Sequence, residues 1–182
     1  MVRFQLNINL TEEIYLSFNI FHALESCNGK KMVARSRLIF SVAMLFLILM
    51  MFLSIGISPI SVGTALFLAI FLIVYMLTFK KVLVRSITKQ IKNLQKTGKL
   101  PYDAQSSLAF YDDRIVEISP SKRMEQNYDT LERICVVTDR FILLYHSSVG
   151  AYILPMTQLN TQLDSKELLD FLAQKCSVIE YY

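Results

Sequence analysis

The alternation of apolar and polar positions changes its period several times along the chain, and each change predicts an element. Phe4, Leu6, Ile8 and Leu10 alternate with Gln5, Asn7 and Asn9, the period of a half-buried strand. Thr11 then stands as the N-cap of a helix running to about Glu25, with Ile14, Phe18 and Phe21 on one face and Asn28-Gly29 as its stop. From Leu38 to Phe79 the polar phase disappears: 42 residues pass without Asp, Glu, Lys, Arg or His. Between Lys80 and Lys99 the helical period returns, with Val84, Ile87, Ile91 and Leu94 on one face and Arg85, Lys89, Lys92 and Lys96 opposite, until Gly98 and Pro101 end it. Short alternating runs follow, and strands are expected near Ser107 to Tyr111, Ile115 to Ile118, Met124 to Tyr128, Ile134 to Thr138, Phe141 to His146 and Ala151 to Leu154. The turns between them are marked by Asp112-Asp113, Ser119-Pro120, Asp139-Arg140 and Ser147 to Gly150. A last helix is expected from about Ser165 to Cys176, with Asp164 and Glu167 as a capping pair and an apolar face of Leu168, Leu169, Leu172 and Cys176.

The charge-free run decides the architecture. A helix needs roughly 20 residues to cross a hydrocarbon core of about 30 Å, so 42 residues fit two crossings. Gly56-Ile57-Ser58-Pro59 breaks the run near its midpoint, which places spans at about 38–55 and 60–79 with Gly56 and Pro59 at the hairpin turn. Ser61, Ala65 and Ala69 recur every four residues, a small-residue stripe on which two helices can pack closely. The expected division is 1–37 as an N-terminal strand and helix, 38–79 as a transmembrane hairpin, 80–99 as a basic juxtamembrane helix, and 100–182 as a β-meander closed by a helix. The flanks are too small to bury two cores, so the N-terminal strand must join the C-terminal ones. The fold class is therefore α+β, with a two-helix hairpin inserted into one cytoplasmic domain.

Composition agrees with this partition and charge adds an orientation. Of the 182 residues 53% are apolar and 19% charged, and the mean hydropathy is +0.40. The formal net charge of +4 conceals an uneven distribution, since all 11 ionic residues between Ser26 and Tyr102 are basic. Lys30, Lys31, Arg35 and Arg37 precede the first span, Lys80, Lys81, Arg85, Lys89, Lys92, Lys96 and Lys99 follow the second, and the intervening turn has no charge. The positive-inside rule then places both termini in the cytoplasm. The seven basic residues after the second span also form a surface for anionic headgroups. No ionisable residue lies within either span, which speaks against an ion or proton pathway.

Candidate chemistry changes the picture little. Cys27, Cys135 and Cys176 are far apart and odd in number, so free thiols are expected, and no Cys/His spacing suggests a metal. His22 and His146 read as ordinary polar side chains, His146 with Ser147 and Ser148 makes no triad pattern, and Asp112-Asp113 reads as turn chemistry. No Gly-rich phosphate loop is present, and fraying is expected at Tyr181-Tyr182. No cofactor, metal or catalytic residue is assigned, and nucleic acid lacks a docking module.

This order of parts resembles the YcxB-like family of small bacterial membrane proteins. The resemblance runs through Leu10-Thr11, Tyr15, Phe18-Asn19 and His22, the two spans, the basic linker, Val137 to Tyr145, Ile153-Leu154-Pro155 and Glu167 to Phe171. It implies a multi-pass protein of the bacterial cytoplasmic membrane with a domain similar to the bacterial pleckstrin-homology type, and it implies no activity. The leading expectation is a non-enzymatic membrane-anchored module whose cytoplasmic domain binds anionic lipid headgroups or an unidentified protein partner. Protection of the bilayer against a membrane-active peptide is the alternative, and an enzyme with an unrecognised site is another. Homo-oligomers stay open.

Overall fold

The computed structural model describes residues 1–98, 102–148 and 150–182. Lys99 and Pro101, and Val149 of the last turn before the final strands, lie outside the described residues. The chain divides into two compact units, one of 1–18 with 94–182 and the other of 19–93.

The first unit is built from two four-stranded sheets. In the first sheet β1 (Val2–Asn9), β2 (Gln105–Tyr111), β3 (Arg114–Ile118) and β4 (Arg123–Asn127) lie side by side in that order, all antiparallel. The N-terminal strand thus pairs with the first strand after the apolar run, and Leu10 N donates to Ala104 O at 2.8 Å where the two part. In the second sheet the order is β7 (Ala151–Pro155), β6 (Phe141–Tyr145), β5 (Arg133–Val137) and β8 (Ile179–Tyr181). The expected meander is therefore split into two sheets at a 3-10 turn, Tyr128–Thr130, whose Tyr128 hydroxyl donates to Tyr111 O at 2.9 Å.

Alternation in the strands builds the core between the sheets. Leu6, Ile8, Leu108 and Phe110 from the first sheet and Ile134, Val136, Ile142, Leu144 and Leu154 from the second belong to one buried cluster. Two helices complete it: α4 (Met156–Gln162) contributes Leu159, and α5 (Ser165–Ala173) contributes Leu168 and Leu172. As expected, α5 is capped by Asp164, whose carboxylate accepts from Lys166 N at 2.8 Å.

Three local expectations are corrected. Asn28-Gly29 does not stop a helix: α1 (Glu12–Ile20) passes into a π-helical turn, Phe21–Glu25, and Ser26 caps the next helix by accepting from Gly29 N at 3.0 Å. Gly29 is needed for close approach rather than for a turn, because a Cβ there would lie 2.4 Å from His22 O. The C-terminus does not fray: β8 runs parallel to β5, and Tyr182 N donates to Val136 O at 2.9 Å. Finally, α4 occupies a stretch with no apolar period to announce it.

The second unit holds two helices long and apolar enough to cross a membrane, α2 (Cys27–Ile55) and the start of α3 (Pro59–Lys96). Their outward faces are apolar and open, with Leu53 at 72%, Leu66 at 65% and Leu77 at 73% exposure. That much contiguous apolar surface is foreign to a protein surrounded by water. Inward-facing positions on α3 step by four and three through Ser61, Ala65, Leu68, Leu72, Tyr75 and Phe79, the spacing of a coiled-coil seam. Facing positions on α2 include Arg37 and Phe40, and the Phe40 and Tyr75 rings stack with centroids 4.1 Å apart. Gly56 ends α2 at φ 75°, and Pro59 starts α3, a pairing of residue types suited to those two positions.

Candidate functional site

The basic residues that precede and follow the apolar helices do not all play the same part. Lys30, Lys31, Arg35, Lys80, Lys81, Arg85, Lys89, Lys92 and Lys96 are exposed, whereas Arg37 is half-buried in the seam. Its guanidinium donates to Met76 O at 3.0 Å and lies over the Phe79 ring at 5.6 Å. Arg37 therefore ties α2 to α3. On the last turns of α3, Val84 and Ile87 are half-buried and Ile91 is buried, while Arg85, Lys89, Lys92 and Lys96 stay in the open. Lys99 falls outside the described residues.

The turn and packing residues also acquire definite tasks. Ser61 is buried, and Ala65 and Ala69 are half-buried. The Ser61 hydroxyl accepts from Ser58 N at 2.8 Å and donates to Gly56 O at 2.9 Å, so it closes the Gly56–Pro59 turn as well as narrowing the helix surface.

In the sheet unit, an enclosed pocket of about 240 Å³ opens between the ends of the two sheets. Its floor is apolar, including Ile8, Leu108 and Ile153, and its rim is polar. Tyr15 from α1 stacks on Tyr102 at 4.3 Å, His146 lies 5.3 Å from the Tyr152 ring, and Glu117 from β3 meets Lys122 at 3.0 Å. Asp103 pins the β3–β4 turn by accepting from both the Ser119 and the Ser121 hydroxyl, which also holds its own carboxyl below the usual range. The acids and the lysine of the rim are thus engaged with each other and with the turn. Of these residues, only His146 stands out in the sequence. The others come from seven separate segments, and no local spacing brings them together.

A second polar cluster lies on the other face of the β5–β6–β8 sheet. Arg133 covers the Tyr145 ring at 4.1 Å, Cys135 Sγ donates to Glu180 Oε2 at 3.3 Å, and the Tyr182 hydroxyl donates to the same oxygen at 2.8 Å. Burial, with the nearby Glu180, pushes the Cys135 thiol up to about 12, and burial likewise pushes the Tyr145 hydroxyl up to about 12. These groups are held protonated in the folded state at pH values where the unfolded chain releases its protons. Their stabilisation is therefore complete below pH 9 and is lost as pH rises from about 9 to 12. Urea midpoints at pH 7.5, 9 and 10.5 should fall across that window, and Cys135→Ala should fall less steeply. A midpoint that rises with pH there would contradict the buried, neutral thiol.

The family model described as YcxB-like protein matches residues 110–172, about a third of the chain, from the end of β2 into α5. No curated protein and no solved structure matches the chain.

Proposed function

We propose, taking residues 110–172 as YcxB-like, that the chain is a non-enzymatic module anchored by the α2–α3 hairpin, whose sheet domain serves contact with anionic lipid headgroups. One observation carries the reading: a charge-free and largely apolar outward helix surface adjoins exposed cations on both helices, with no acidic residue between Ser26 and Tyr102. Each Lys or Arg near an anionic bilayer contributes about 1 kcal/mol, fading within a Debye length of about 8 Å. A protein partner is the weaker choice, since no comparable acidic-depleted surface is needed to bind one.

The same charge asymmetry supports a bacterial cytoplasmic-membrane location with both termini inside. Four antiparallel strands followed by three more and a closing pair of helices support the pleckstrin-homology-like reading of the domain, to which this chain adds the short parallel strand β8. The paired state of Glu117 with Lys122 supports binding rather than acid–base catalysis, which calls for a group free to exchange its proton.

The test uses the full chain in nanodiscs of mixed phosphatidylglycerol and phosphatidylcholine. Enrichment of phosphatidylglycerol around the protein should drop when Lys89, Lys92 and Lys96 are all changed to Gln, and the difference should vanish at high salt. Equal enrichment in wild type and triple variant at low salt would remove the lipid reading. Orientation is checked with Cys27→Ser carrying single cysteines at Ser58 or Ser121: an impermeant thiol reagent outside intact cells should reach the first and spare the second.

A further inference from the structure

The exposed cations account for a diffuse attraction to any anionic bilayer, yet one of them stands at the end of a groove. Along one side of the hairpin, Met32, Arg35, Ser36, Ile39, Phe40 and Ala43 of α2 and Tyr75 of α3 border an open cleft of about 450 Å³. Its one charged side chain, Arg35, stands near one end with Met32 and Ser36 beside it. Arg35 and Ser36 lie before the charge-free run, at the level where headgroups meet a span that begins at Leu38. Ile39, Phe40 and Ala43 lie within that run, at the level of the first acyl carbons. Ala43 is the small residue on the lining, and the Phe40 and Tyr75 rings, with centroids 4.1 Å apart and tilted by 32°, give it an aromatic wall.

The two arginines of this region are distinguished by their partners. Arg37 is committed to Met76 O and the Phe79 ring. Arg35, two residues before it on the lining of the cleft, is exposed and has neither an ion pair nor a hydrogen bond among the described residues. A guanidinium presents a planar fork that fits two phosphate oxygens at once, which an ammonium cannot do.

We infer that this cleft is a discrete site for one anionic phospholipid, its phosphodiester held by Arg35 with Ser36 beside it and one acyl chain laid along Ile39, Phe40 and Ala43. Charge complementarity selects the occupant: the only charge on the lining is the Arg35 cation near one end, and Ile39, Phe40 and Ala43 beyond it are apolar, so the ligand must join a phosphate to a hydrocarbon chain. A free phosphate would leave the apolar part empty, and a zwitterionic lipid would bring a second cation against Arg35.

This site rests on the membrane-anchored reading, and the experiment separates the two. Full-length protein in nanodiscs of mixed phosphatidylglycerol and phosphatidylcholine is extracted into mild detergent, and retained lipid is counted by native mass spectrometry. Wild type should keep one phosphatidylglycerol after the remainder has been stripped. Arg35→Gln should lower that occupancy about tenfold, the scale of losing one charge-assisted pair, and Ala43→Phe should lower it by filling the cleft. Lys80→Gln, a charge change at a cation of the diffuse surface that does not border the cleft, should weaken only the general attraction and leave the one retained lipid in place. Because Arg35 is exposed, its substitution keeps the helix packing intact, and an unchanged thermal midpoint verifies this. Equal loss in Lys80→Gln and Arg35→Gln, or no loss in Arg35→Gln, overturns the site while leaving the diffuse attraction standing. Wild type that shows no preference for phosphatidylglycerol even within the nanodisc overturns the proposed function itself.

Discussion

Changing Gln158 and Gln162 together to Leu should cost the sheet domain about 2–4 kcal/mol and expose β1 to pairing with a second copy. The two glutamines sit one helical turn apart on α4, and each uses its side-chain amide as a substitute strand. Gln162 accepts from Asn7 N at 2.8 Å and donates to Asn7 O at 2.8 Å, while Gln158 accepts from Asn9 N at 2.8 Å and donates to Asn9 O at 2.7 Å. Alternate residues of an edge strand point their backbone groups the same way, so the four-residue rise of the helix, about 6 Å, meets the two-residue rise of the strand, about 7 Å. A neutral hydrogen bond contributes about 0.5–1.5 kcal/mol net, and water partly replaces exposed ones, which sets the magnitude for four. An uncovered edge with unpaired N–H and C=O groups is a template for association. Urea denaturation of single and double variants, with sedimentation at two concentrations, is the measurement. A double variant that unfolds with wild-type stability and stays the same size would show that the glutamines are incidental to the edge.

The second large effect concerns the hairpin. Leu45 faces outward on α2 at 60% exposure, and Leu45→Arg should oppose insertion by about 2.5–3.5 kcal/mol, the penalty for an arginine near the centre of a span. Ile57 in the turn is 89% exposed and lies outside both helices, so Ile57→Arg should insert normally. Carbonate extraction of membranes from cells expressing each variant reads the outcome. If Leu45→Arg stayed in the membrane pellet as fully as Ile57→Arg, the outward face of α2 would not be in contact with acyl chains. A solvent-facing helix would instead become more soluble with the added charge.

Much of the fold was legible because its determinants are local. Six strands are short apolar or alternating runs bounded by Asp, Ser, Pro or Gly, and each lies within about two residues of the expected range. The hairpin is equally plain, since 42 charge-free residues with a Gly and a Pro at the middle suit two long apolar helices joined by a tight turn. What escaped is non-local. The polar face of α4 makes sense only against β1, more than a hundred residues away, and β8 is three residues long with a parallel partner. Asn28-Gly29 misleads because Gly is a strong turn signal, whereas here it admits the backbone of the preceding helical turn. The basic residues could be placed on a helix face from their spacing, but the difference between Arg35 and Arg37 needed the facing helix. The sheet-domain pocket was wholly outside local reading, its rim being gathered from both sheets and α1.

The antiparallel pairing of Val2 with Tyr111 has a consequence for the order of events during synthesis. A ribosome delivers β1 first and its partner β2 only after both long helices have emerged, so β1 waits longer for its neighbour than any other strand of that sheet. Loop entropy across an unstructured segment of such length delays closure, and an antiparallel helix pair already formed returns the chain toward its start and shortens the effective loop. Early formation of the helix pair thus favours completion of the sheet, and until β2 arrives the backbone groups of β1 stay open to association.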